Sequence, residues 1–238
     1  DVDARPAPSS SLAAGVAGFD PNIVFQTHDN GFLRSTATNY GYFGTVRNRL
    51  HDSTGALVPV MESPVNSGIE YLYEAGLWIG GVVRGDTLVS TGSLGFGQAH
   101  ELYADSYEPR TFSDFLGDDE WTFIYGDTTT DPETVRDDPY DGPHRPLPVR
   151  VRQKTYTFDA FTYNSAMYME LVVTNVGSQP ITDAWFGWLI DPDIGHVDVD
   201  DYWMDDITGH IRRTVSNAGQ PLDVSVAWAM DNDGDPDS

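Results

Sequence analysis

Val149-Arg150-Val151-Arg152-Gln153-Lys154-Thr155-Tyr156-Thr157-Phe158 is the stretch whose reading decides the fold class. Val149, Val151, Gln153, Thr155 and Thr157 alternate with Arg150, Arg152, Lys154, Tyr156 and Phe158. A period of two sends successive side chains to opposite faces, which is the pattern of a half-buried strand and not of a helix. The segment that follows repeats it, with Met167, Met169, Leu171 and Val173 set against Tyr168, Glu170, Val172 and Thr174. Asn175-Val176-Gly177-Ser178-Gln179-Pro180 then turns the chain into Ile181–Ile190, and Leu222, Val224, Val226, Trp228 and Met230 give a last alternation. Strands of this length separated by turn residues indicate an antiparallel β-sandwich.

The same grammar extends towards the N-terminus. Glu120–Tyr125 and Ile69–Tyr73 read as strands, and Leu77–Val83 meets Asp86–Ser90 across Arg84-Gly85 as a hairpin. No segment carries a sustained helical period with caps. The expectation is therefore an all-β chain with very little helix, of jelly-roll or Ig-like kind, built as one large or two packed sandwich units. Residues 126–148 are rich in Asp, Thr and Pro and lack apolar periodicity; a patternless stretch beyond about 15 residues marks a functional loop or a boundary. It divides a first β half, residues 22–125, from a second, residues 149–238.

Residues 1–21 form a Pro/Ala/Ser/Gly arm that buries little by itself. Its start lacks the basic run and apolar core of a secretion signal, and it reads as a mature, already cleaved terminus. Leu12, Ala14 and Val16 alternate within it, the pattern of a strand lent to an open sheet edge on a neighbouring subunit, giving a homo-oligomer or filament.

Composition sharpens the function classes. The chain has 238 residues and a formal charge of −24, from 37 acidic and 13 basic residues. Such a field repels phosphate backbones, which argues against nucleic-acid binding. No apolar run approaches the ~20 residues that span a bilayer as a helix, so membrane insertion is not expected. There is no cysteine, hence no disulfide and no thiolate ligand. The acid is 29 Asp against 8 Glu, a skew that favours turns and hard cations over helices.

Two acidic stretches are candidate calcium sites. Asp191, Asp193, Asp198, Asp200, Asp201, Asp205 and Asp206 place seven carboxylates within sixteen residues, directly after a buried-looking strand. Packed together without a cation they would repel one another. Calcium accepts six to eight oxygens in flexible geometry and suits this spacing better than magnesium or zinc. In the tail, Asp231, Asp233, Asp235 and Asp237 alternate around Gly234, as in EF-hand-like and thrombospondin-type calcium loops. The EF-hand pattern wants Gly sixth and Glu twelfth; here Gly is fourth and the sphere is incomplete, so the missing donors are expected from further polypeptide or a partner subunit.

Catalytic patterns are sparse. Glu70, Glu74, Glu101 and Glu170 lie on or near strands, but nothing in their spacing selects a glycosidase pair. The six histidines are dispersed, and neither a Gly-x-Ser-x-Gly elbow nor a phosphate-binding Gly loop occurs. Arg84-Gly85-Asp86 spells an integrin-binding tripeptide, yet a hairpin turn already accounts for it. Trp185, Trp188, Tyr202 and Trp203 offer a sugar-stacking alternative, although Trp185 and Trp188, three apart on a strand, face opposite ways.

Gly76-Leu77-Trp78-Ile79-Gly80-Gly81, with Asn39–Gly44 and Ser67–Tyr71 before it and Gly85–Ser90 after it, resembles a family of uncharacterised secreted or cell-surface β-rich proteins of Bacteroidetes-type bacteria. The stretch Glu170 to Asp201, with Asp191-Pro192-Asp193-Ile194-Gly195, is similar to it too. The resemblance implies export and a multi-domain β architecture, often with a C-terminal sorting module, and carries no catalytic residue. The combined expectation is an extracellular, calcium-stabilised, non-enzymatic structural protein that self-assembles; the alternative is a glycan-binding module or glycoside hydrolase accessory domain.

Overall fold

A computed structural model describes residues 24–30, 32–44, 58–92, 100–104, 117–131, 135, 143–199 and 201–232. Leu12, Ala14, Val16, Asp200, Asp233, Asp235 and Asp237 lie outside the described residues. The described strands are β1 Phe25–Asn30, β2 Leu33–Thr38, β3 Tyr42–Gly44, β4 Met61–Glu62, β5 Ile69–Glu70, β6 Glu74–Val83, β7 Asp86–Thr91, β8 Tyr103–Ala104, β9 Asp119–Asp127, β10 Val149–Thr157, β11 Tyr168–Asn175, β12 Thr182–Asp191, β13 Gly195–His196, β14 Ile207–Asn217 and β15 Gln220–Met230. Among the described residues there is no helix, and none therefore long and apolar enough to cross a membrane.

Every strand pairing is antiparallel. One sheet runs β11-β10-β9-β8; a second runs β12-β6-β3 with β7 also on β6; a third runs β1-β2-β4-β5-β13. The alternation in β10 places Val149, Val151, Gln153, Thr155 and Thr157 inside and sends Arg150 and Arg152 out. Opposite them β9 turns Phe123 and Tyr125 inward, and the Tyr125 hydroxyl donates to Gln153 Oε1 at 2.7 Å, so a polar side chain can sit fully buried. Phe43, Leu77, Ile79, Phe123, Tyr125, Leu147, Val149 and Val151 form one apolar core, drawn from both sides of residues 126–148 and, at Leu147, from within that stretch. His28 on β1 bonds Asp119 at 3.1 Å and Thr155 at 2.8 Å, tying the third sheet to the first.

The Arg84-Gly85 hairpin forms as expected, with φ of 54° and 89° at the two turn residues, as a two-residue turn between twisted strands requires. Ile69–Tyr73 is shorter than the alternation implies: only Ile69–Glu70 is strand, and the next strand begins at Glu74. Gly81 has no room for a side chain, because a Cβ there would run into Ile181 Cγ2.

Two elements differ from the sequence reading. Ile181–Ile190 looked buried, yet β12 is an edge strand with Trp185, Phe186 and Ile190 all exposed. Residues 207–217, where no strand was expected, form β14, which pairs with β15 alone across the Ala218-Gly219 turn. This ribbon is amphipathic. Ile207, Ile211, Val215, Leu222, Val226, Trp228 and Met230 share one face, and Thr208, His210, Arg212, Thr214 and Ser225 share the other. The apolar face is largely exposed.

Candidate functional site

The ribbon's open end determines where acid collects. Its last ladder pair is Ile207 with Met230, so the residues just outside it, Asp206 and Asp231, are neighbours although they belong to separate acidic stretches. The end of β12 arrives at the same place. Asp191 pairs with Glu74 and its carbonyl accepts Tyr73 N–H at 2.9 Å; the chain then passes through Asp193 to the buried Ile194, whose N–H donates to Asp206 Oδ2 at 2.9 Å. That bond fixes Asp206 beside Asp193.

Electrostatics at this junction are unfavourable to charge. Burial, then repulsion from Asp191 and Asp206, raises Asp193 to about 7. Asp206 is raised by burial, against the Ile194 hydrogen bond, with Asp231 and Asp205 adding repulsion. Asp191 is raised by burial. Asp206 Oδ1 is buried and has no hydrogen-bond partner, although an unmatched buried carboxylate oxygen costs more than a solvated one. Among the described residues no Lys or Arg pairs with Asp191, Asp193 or Asp206. An oxygen-only, anionic donor set of this kind fits a hard cation such as calcium, which would supply the missing positive charge. Among the described residues no three His, Asp or Glu side chains already stand at metal-holding distances, so coordination would require these carboxylates to draw in.

The remaining acidic candidates are placed differently. The Asp198 carboxylate is solvent-facing, 4.0 Å from His196 Nδ1, to which the Asp198 N–H donates at 3.2 Å. Asp201 and Asp205 are exposed, Asp201 at the positive φ of 61° in the turn leading to β14. Thus Asp191, Asp193, Asp206 and Asp231 converge, while Asp198, Asp201 and Asp205 ring the outside.

A second polar centre went unread in the sequence. His144 Nδ1 bonds Glu101 Oε1 and its Nε2 bonds Asp127 Oδ1, both at 2.9 Å. Burial pushes the imidazolium down, but hydrogen bonds and charge attraction from Asp127 and Glu101 win and raise it to about 9. The outer carboxylate oxygens are also used. Asp127 Oδ2 accepts Ser90 Oγ at 2.6 Å and Leu147 N–H at 2.9 Å, and Glu101 Oε2 accepts Thr91 N–H at 2.9 Å. With both ring nitrogens engaged by carboxylates, this group clamps the segment around His144 to β7 and β9. Its partners lie 43 and 17 positions away, a separation that no local motif reveals.

Exposed aromatic residues lie on β12 and after β13, and also at Phe161 and Tyr163 between β10 and β11. Trp185 faces solvent, Trp188 meets the core through Phe43 at 5.7 Å, and Tyr202 and Trp203 pack edge-to-face at 5.3 Å. A pocket between Tyr103, Gly126, Thr128 and Arg150 encloses about 120 Å³, below the ~300–1,000 Å³ usual for small-molecule sites. Comparison of the chain with protein families, with curated proteins and with solved structures finds no match.

Proposed function

We propose that this is a secreted or cell-surface structural module without enzymatic activity, stabilised by calcium at the junction of β12 with the β14–β15 ribbon, and assembling into filaments through its N-terminal arm. The observation that carries the calcium part is Asp206, whose buried Oδ1 has no hydrogen-bond partner and whose carboxylate lies near enough to Asp193 and to Asp231 for repulsion with each. A divalent ion there offsets the repulsion and ties the ribbon base to the sandwich. Because it favours the folded chain, it adds stability by mass action. The alternating arm and the absence of cysteine support assembly as the source of further stability. Calorimetric titration of the full chain with calcium tests the site: saturable binding that Asp193→Asn and Asp206→Asn weaken supports it, and heat that is unchanged in both variants contradicts it. Electron micrographs of the calcium-loaded chain test the assembly, with filaments expected and dispersed single particles against it.

The exposed Trp185 with Tyr202 and Trp203 favours a glycan-binding alternative. Retention on a polysaccharide column that Trp185→Ala abolishes would support it.

A further inference from the structure

β12 hydrogen-bonds to β6 on one side, and among the described residues its other edge is the outer margin of the sheet. Ladder register places Phe186 opposite Ile79, Trp188 opposite Leu77 and Ile190 opposite Ala75, so all three point to the core side of the sheet. Their partners on β6 are buried, yet Phe186 is 59 %, Trp188 37 % and Ile190 57 % exposed. The core therefore runs out one strand too early on this flank. An open edge of ten residues backed by large apolar side chains is a template for strand addition.

The sequence contains a segment that fits. Residues 9–18, Ser-Ser-Ser-Leu-Ala-Ala-Gly-Val-Ala-Gly, are ten residues with no charge and no proline in a chain of net charge −24, bounded by Pro8 on one side and by Asp20-Pro21 on the other. Leu12, Ala14 and Val16 share the period of Phe186, Trp188 and Ile190. Centred on the pair Ala14 with Trp188, the smallest of Leu12, Ala14 and Val16 meets the largest of Phe186, Trp188 and Ile190, in either strand direction. The opposite face offers Ala13, Gly15 and Ala17 beside Trp185, again small against large. An uncharged segment also lets two strongly acidic chains touch without bringing like charges together.

We infer that the free edge of β12 accepts residues 9–18 of a second copy of this chain as an added strand. The inference rests on the assembly part of the proposed function and names its acceptor. To test it, full-length Ser11→Cys carrying a photo-crosslinker on its only thiol is mixed with isotopically heavy full-length chain, irradiated and mapped by mass spectrometry. Light-to-heavy adducts on residues 185–191 are expected. Adducts elsewhere, adducts confined to one copy, or no adducts overturn the inference. In parallel, Ala14→Trp should weaken self-association about tenfold by overpacking against Trp188, while Ser9→Thr should leave it unchanged; equal association by both variants would overturn it too. Filaments that persist with adducts elsewhere would sink only the edge assignment, whereas β12 adducts without filaments would sink only the filament reading.

Discussion

His144 is the residue whose chemistry is most fully determined. Its raised value of about 9 against the ordinary 6.5 means that the folded chain holds a proton which the unfolded chain releases between those values. Its stabilisation is therefore complete below about pH 6.5 and is lost as pH rises through about 9. His144→Ala leaves Asp127 and Glu101 buried with no cation between them, and is expected to cost about 3–5 kcal/mol in urea unfolding. The variant should also lose the decline in stability between pH 6.5 and 9; retention of that decline would show another group to be responsible. Asp193 carries the same sign by a different route, because the fold binds a proton that the unfolded carboxyl has already lost. In chelator, stability should therefore fall as pH rises from about 4 to about 7, calcium should flatten that slope, and Asp193→Asn should make it shallower, leaving the part due to Asp191 and Asp206. None of the His144 centre was legible in the sequence, since its partners are remote and the segment shows no periodicity. The acidic junction was half legible: the carboxylates were visible as two stretches, but their meeting depends on the register of β14 with β15.

At the scale of elements, strands whose alternation is uninterrupted were readable. β10, β11 and β15 fall within one or two residues of the pattern, and the Arg84-Gly85 hairpin falls on it. β14 was not readable, because Gly209 and Arg213 interrupt its apolar face; the structure shows why Gly209 is there, with the ring of Trp228 lying over it across the ladder. β12 was readable as a strand but not as an edge. Burial of a strand depends on what lies beyond it, and a period of two with aromatic residues on both faces is silent on that point. Close packing of β6 gives a direct check. Gly81→Ala drives a methyl group into Ile181 and should cost about 1–3 kcal/mol as a lower urea midpoint with unchanged slope. An unchanged midpoint would mean that the link from β11 to β12 yields freely.

Over the whole molecule, the three sheets share one core, with Tyr125 bonded to Gln153 and His28 to Asp119 and Thr155 inside it. Three features stand out among the described residues: an open β12 edge, a two-stranded ribbon with an exposed apolar face, and mutually repelling carboxylates where the two meet. A two-stranded ribbon is marginal alone. Under the function proposed above, an ion at its base would anchor it, and calcium would be a structural component. Thermal unfolding of the full chain at pH 8, in chelator and then in calcium at about 100 times its dissociation constant, is the most direct test. Mass action gives about 2.7 kcal/mol, or a melting temperature higher by about 5–10 °C for a chain of this size. That rise is expected in the native sequence and its loss in Asp206→Asn; identical melting temperatures in chelator and in calcium would contradict a structural role for the ion.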